Sequence, residues 1–73
     1  MWNHRIIRHI DDDSIYYAIH EVYYDEDGKV KGWTEEPIRI MEESLEDLKV
    51  TLQRLIESFD NPVLDEETKE AIL

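Results

Sequence analysis

The chain contains no cysteine, which excludes disulfides, thiolate catalysis, Cys-based zinc sites and iron–sulfur clusters together. Glycine and proline number two each, and no glycine-rich loop of the kind that cradles phosphate exists. Basic residues are scarce: 8 stand against 19 acids, for a formal net charge of −11. Such a field repels DNA, RNA and anionic lipid, and favours cationic partners or plain solubility. No apolar run approaches the roughly 18–20 residues of a membrane span. The first ten residues are polar and cationic with no apolar stretch, unlike a signal peptide. A cytoplasmic address and no membrane partner are therefore expected.

What is present suffices for one folded domain. The 73 residues are 41% apolar and include seven aromatics: Trp2, Trp33, Tyr16, Tyr17, Tyr23, Tyr24 and Phe59. That content argues against an acidic disordered tail. A chain this short buries only about 60% of its unfolded surface, so small scaffolds lean on disulfides, a metal or a partner subunit. With cysteine absent and metal ligands sparse, a partner chain remains. The charge is also uneven. Residues 1–10 hold Arg5 and Arg8 and no acid, whereas residues 41–73 hold ten acids against Lys49, Arg54 and Lys69.

Three strands are expected first, Trp2 to Ile10, Ser14 to Tyr24 and Lys29 to about Ile40, from their β-branched and aromatic content. Asp11-Asp12-Asp13 makes a solvated turn, and Gly28 supplies the positive φ of a second one. Pro37 places the third strand at an edge or interrupts it. Leu45, Leu48, Leu52, Leu55, Ile56 and Phe59 then form one stripe at helical period. Ser44 is placed to cap that helix with Asp47 three residues on, and Asn61-Pro62 stops it. Val63-Leu64 reads as a short extended arm, with Asp65 capping a last turn through Ile72. The expected fold is α+β, a three-stranded antiparallel sheet (residues 1–40) followed by one amphipathic helix (44–60) packed on one face, with a C-terminal arm (61–73).

Pairing Ile10 with Ser14 and Tyr24 with Lys29 puts Trp2, Ile6, Ile10, Tyr16, Ala18, Val22, Tyr24 and Trp33 on one face. Ile7, Ile15, Tyr17, Ile19, Tyr23 and Val30 fall on the other. Both faces are apolar, and one helix covers only one of them. A slip of one residue would reshuffle the faces without making the central strand one-sided. A homodimer packed through the second face leads; a different protein or the tail residues Val63, Leu64, Ile72 and Leu73 are the competing covers.

Chemistry is thinly signalled. In that pairing His4 and His20 oppose each other beside Trp33, which suggests a metal pair, a general base or, as preferred here, interface histidines stacked on aromatics. A pH-sensitive contact is the by-product of the last reading. His9 reads as a surface residue. Asp25-x-Asp27-Gly28 lacks the ligand spacing of a calcium loop and reads as a hairpin turn. No nucleophile stands beside a base, so no catalytic, cofactor-binding or metal residues are assigned, and no enzyme is expected. Trp2, Tyr16, Tyr24 and Trp33 are the expected interface anchors, with His4 and His20 beside them. The function expected is a non-catalytic interaction or regulatory module, homodimeric and acidic-surfaced. The alternative is an acidic inhibitor or antitoxin-like protein that occludes a basic, nucleic-acid-binding site on a protein partner.

Two resemblances bear on this. Trp2-Asn3-His4-Arg5, His20-Glu21-Val22-Tyr23-Tyr24-Asp25 and Gly32-Trp33-Thr34-Glu35 with Pro37 resemble a small uncharacterised bacterial protein family. Glu43-Ser44-Leu45-Glu46-Asp47-Leu48 and Pro62-Val63-Leu64-Asp65 extend that likeness, which implies a bacterial cytoplasmic protein and no site residues. Three strands followed by the Glu43–Leu48 helix start are also similar to antitoxins with a partial ribonuclease-H-like sheet. That likeness implies a β-β-β-α-β core with Val63-Leu64 as the last strand, although the antitoxins' glycine-rich early turn has no counterpart here.

Overall fold

A computed structural model describes residues 1–72. The elements in chain order are β1 (Trp2–Asp11), β2 (Ser14–Tyr24), β3 (Val30–Trp33), α1 (Leu45–Ile56), a 3-10 turn (Glu57–Asp60) and β4 (Leu64–Asp65). The fold is α+β, but the sheet has four strands in the order β3-β2-β1-β4 and is mixed. β4 runs parallel to β1, pairing Ile7 with Leu64 and Arg8 with Asp65. The three-stranded antiparallel expectation is corrected by this edge strand, which is too short for a periodic signal and exists because β1 offers it a free edge.

The first hairpin closes more tightly than expected. Asp11 pairs with Ser14 and Ile10 with Ile15, leaving a two-residue turn in which Asp12 takes φ 53. Aspartate tolerates that left-handed conformation, and two-residue turns match the twist of antiparallel strands. The slip of one residue divides the expected faces. Trp2, His4, Ile6 and Ile10 now share a face with Ile15, Tyr17, Ile19 and Glu21; Asn3, Arg5, Ile7 and His9 share the other with Tyr16, Ala18, His20 and Val22. In the second hairpin Gly28 sits at φ 78, and the Asp25 carboxylate accepts from the Asp27 and Lys29 amides. A bulge at Tyr23/Tyr24 then sets Val22 opposite Trp33. β3 ends at Trp33, earlier than expected, although the Thr34 and Ile38 amides still donate to the carbonyls of Glu21 and Ile19 along the β2 edge.

The second face is the inside of the curled sheet. Ile7, Val22 and Leu64 are wholly buried there, with Tyr24, Val30 and Trp33 packed against them. Leu64 packs beside Ile7, whereas Ile15, Tyr17 and Tyr23 of the face expected to need cover stay exposed; Leu73 lies outside the described residues. Asp65 caps a single turn, its carboxylate accepting from the Glu67 and Thr68 amides. Lys69 at φ 62 then reverses the chain, so that Ala71 bridges back to Leu64.

The helix forms as its stripe and cap dictate. Ser44 Oγ accepts from the Asp47 amide, and Asn61 closes the 3-10 turn. Its packing differs from expectation. Leu48, Thr51, Leu55 and Ser58 point inward, whereas Leu45 (85% exposed), Leu52, Ile56 (66%) and Phe59 (71%) face water. At 100° per residue the buried side lies about 60° away from the centre of the apolar stripe. The polar groups on this flank are satisfied locally: Thr51 Oγ1 donates to Glu42 (2.7 Å), and the buried Ser58 hydroxyl donates to the Leu55 carbonyl one turn back. The helix therefore meets the sheet by one flank rather than lying on it with its whole apolar face.

Candidate functional site

Phe59, at the end of the exposed half of the helical stripe, lines an apolar cleft of about 430 Å³ together with Ile6, Tyr17, Ala18, Ile19 and Val63. Ile10, Ile15 and Tyr17 extend this surface along the open face of the first hairpin. The acids of α1, Glu46 and Asp47, lie on the reverse of the helix, and Lys49 flanks the stripe. The consequence shows in the area. A folded monomer of 8.8 kDa exposes about 4,800 Å²; this chain exposes 5831 Å². Its radius of gyration is 13.1 Å, against about 11 Å for a compact chain of this length. A second hollow, about 290 Å³, is polar and charged, with His4, Glu21, Arg39, Glu42, Thr51 and Arg54 in its wall.

The inner face carries a polar relay. His20 Nδ1 faces the Thr34 carbonyl at 2.9 Å and Thr34 Oγ1 at 3.3 Å. His20 Nε2 meets His9 Nε2 at 2.9 Å, and His9 Nδ1 meets Glu66 Oε2 at 3.0 Å. The same Glu66 oxygen accepts the Ile10 amide, and Tyr16 stacks on the His9 ring. Burial holds His20 below its ordinary value of 6.5, helped by the positive field of His9 and opposed by the Thr34 carbonyl. Across the sheet, Arg5 donates to the Tyr24 hydroxyl and the Pro62 carbonyl, while Arg8 pairs with Asp65. That pairing, with the Thr68 and Glu67 amides, keeps the Asp65 carboxyl below its usual range.

The expected site residues separate. His4 faces Glu21 and packs edge-on to Trp2 on the helix side, whereas His20 opposes Arg5 on the inner face. The expected His4–His20 pair is not formed, because the tighter first turn shifts the register by one. Tyr24 and Trp33 pack onto the inner core, Trp2 is exposed, and Tyr16 covers His9. Sequence reasoning missed His9 and Glu66. The signal for His9 was available: once Asp12 takes the left-handed turn, strand parity sets His9 and His20 on one face. Glu66 had none, because its position depends on β4. Among the described residues, no group of three or more His, Asp or Glu side chains is placed to hold a metal ion. No helix among them is long and apolar enough to cross a membrane.

No protein-family model, curated protein or solved structure matches this chain.

Proposed function

We propose that this chain is a non-catalytic interaction module that works as a homodimer, two copies meeting through Leu45, Leu52, Ile56, Phe59 and the adjoining cleft. The observation that carries the reading is the helix roll, which turns half of an apolar stripe to water. Exposed apolar patches of this extent mark interaction surfaces. The excess of exposed surface, about 1,000 Å² over an ordinary monomer, matches the roughly 800 Å² that each partner buries in a standard interface. Glu46 and Asp47 lie on the reverse of α1, away from the centre of the stripe, which lessens the repulsion between two chains of net charge −11.

A second reading is an acidic, antitoxin-like protein that occludes a basic site on a partner. Its support is the element order β-β-β-α-β, the order that the antitoxin resemblance implies. Light scattering across a hundredfold concentration range, at low and high salt, separates the two. The homodimer reading expects twice the 8.8 kDa chain mass, strengthening with salt as self-repulsion is screened, and expects Leu52→Glu with Phe59→Glu to give a folded monomer. A wild-type monomer at every concentration and salt overturns it. Docking on a basic partner would instead weaken as salt rises.

A further inference from the structure

The relay on the inner face contains a proton count that the interaction reading does not use. Thr34 Oγ1 spends its own hydrogen on the Glu36 carbonyl, so both Thr34 oxygens can only accept, and His20 Nδ1 must carry a proton. Glu66 Oε2 already accepts the Ile10 amide, so as a carboxylate it requires a proton on His9 Nδ1 as well. Between the rings, two Nε2 atoms stand 2.9 Å apart, a hydrogen bond that needs one proton and has no place for two. The four ring nitrogens therefore hold three protons, one more than two neutral histidines carry. A neutral pair sets two lone pairs against each other, or bares His9 Nδ1 toward the carboxylate. A doubly protonated pair sets N–H against N–H.

We propose that His9 and His20 form a one-proton clasp, joining the segment after β3 to the hairpin after β4, that opens when the pair loses that proton or takes a second. Its two ends lie on opposite edges of the sheet: Thr34 follows β3, and Glu66 follows β4. Closing it draws the edges together over Ile7, Val22 and Leu64, which is what holds the curl. The groups facing the rings agree with one proton rather than two. Arg5 opposes His20 on β1, and its cation resists a second charge. Glu66 and Glu36 favour the first, while Tyr16 covers His9 and Asp11 follows it on the same face. Burial of His20 disfavours charge on its ring and leaves its Nε2 as the acceptor of the pair.

The test combines nitrogen NMR of the histidine rings with urea unfolding between about pH 5 and 9, on the wild type and Glu66→Gln. The wild type should show three ring protons on the pair where stability is greatest, with His20 Nε2 as the acceptor. Its folding equilibrium constant should fall about tenfold or more along the alkaline limb, the cost of an unsatisfied buried polar group. In Glu66→Gln the one oxygen that serves both the Ile10 amide and His9 Nδ1 remains an acceptor but loses its negative charge. The third proton is then held less tightly, and the alkaline limb moves to lower pH. The two proteins share every ionisable group except residue 66, so the difference between the two curves isolates the clasp. One proton per ring at the wild-type stability maximum, or an alkaline limb unchanged in Glu66→Gln, overturns the proposal.

Discussion

Leu55→Ala and Phe59→Ala delete apolar groups four residues apart on the same helical run, yet the roll of α1 makes their costs very different. Leu55 is 5% exposed against the sheet, whereas Phe59 keeps less than a third of its surface from water. Truncating a buried leucine costs about 2–4 kcal/mol. The covered part of Phe59 is worth at most about 1 kcal/mol. A domain of this length has roughly 4–11 kcal/mol in all, so Leu55→Ala takes a large share. With a urea slope near 1 kcal/mol/M for so small a chain, its midpoint should drop by about 2 M or more. Unfolding followed by tryptophan fluorescence in dilute solution should show that drop for Leu55→Ala and less than about half of it for Phe59→Ala. Repeating the series at high concentration adds the assembly, because association stabilises the folded chain by mass action. There Phe59→Ala should fall behind the wild type, while the Leu55→Ala deficit persists at both concentrations. Equal losses in dilute solution would refute the orientation given to the helix, and with it the open seam.

Two further outcomes probe the inner face and the β4 edge. Tyr24→Phe removes a hydroxyl that accepts from Arg5 at 2.9 Å and donates to Asn3 at 2.7 Å. Arg5 is buried with its Nε already unpaired, so urea unfolding should show a loss of about 1–3 kcal/mol. Asp65 titrates below its ordinary value of 3.8, through Arg8 first and then the Thr68 and Glu67 amides. A depressed carboxylate stabilises the fold above its unfolded value, and that contribution is lost as the pH falls through its folded value. Acid unfolding below about pH 4 should therefore be shallower in Asp65→Asn, from a lower starting stability. A variant curve parallel to the wild type would remove the Arg8–Asp65 pair from the account.

The local features of this chain follow from local chemistry. Ser44 caps the helix because its hydroxyl reaches the Asp47 amide within one turn, and Gly28 turns the second hairpin because it accepts a positive φ at no steric cost. The β-branched and aromatic run Ser14–Tyr24 makes a strand with apolar residues on both faces whatever it pairs with. Such choices involve neighbours a few residues apart, and the sequence by itself determined them. The register did not belong to this class. Asp11-Asp12-Asp13 permits a two- or a three-residue turn, and the twist of the paired strands selected the shorter one; that single residue separated His4 from His20 and brought His9 to it. β4 is two residues long, has no period to read, and exists only where β1 leaves an edge open. Glu66 and the proton relay depend on it. The helix roll is tertiary in the same way: the spacing of Leu45, Leu48, Leu52, Leu55, Ile56 and Phe59 defines a stripe, whereas the docking of the helix buries Leu55 and leaves Ile56 and Phe59 in water. Contacts across long stretches of chain set what faces the core, what faces water and where a proton is held.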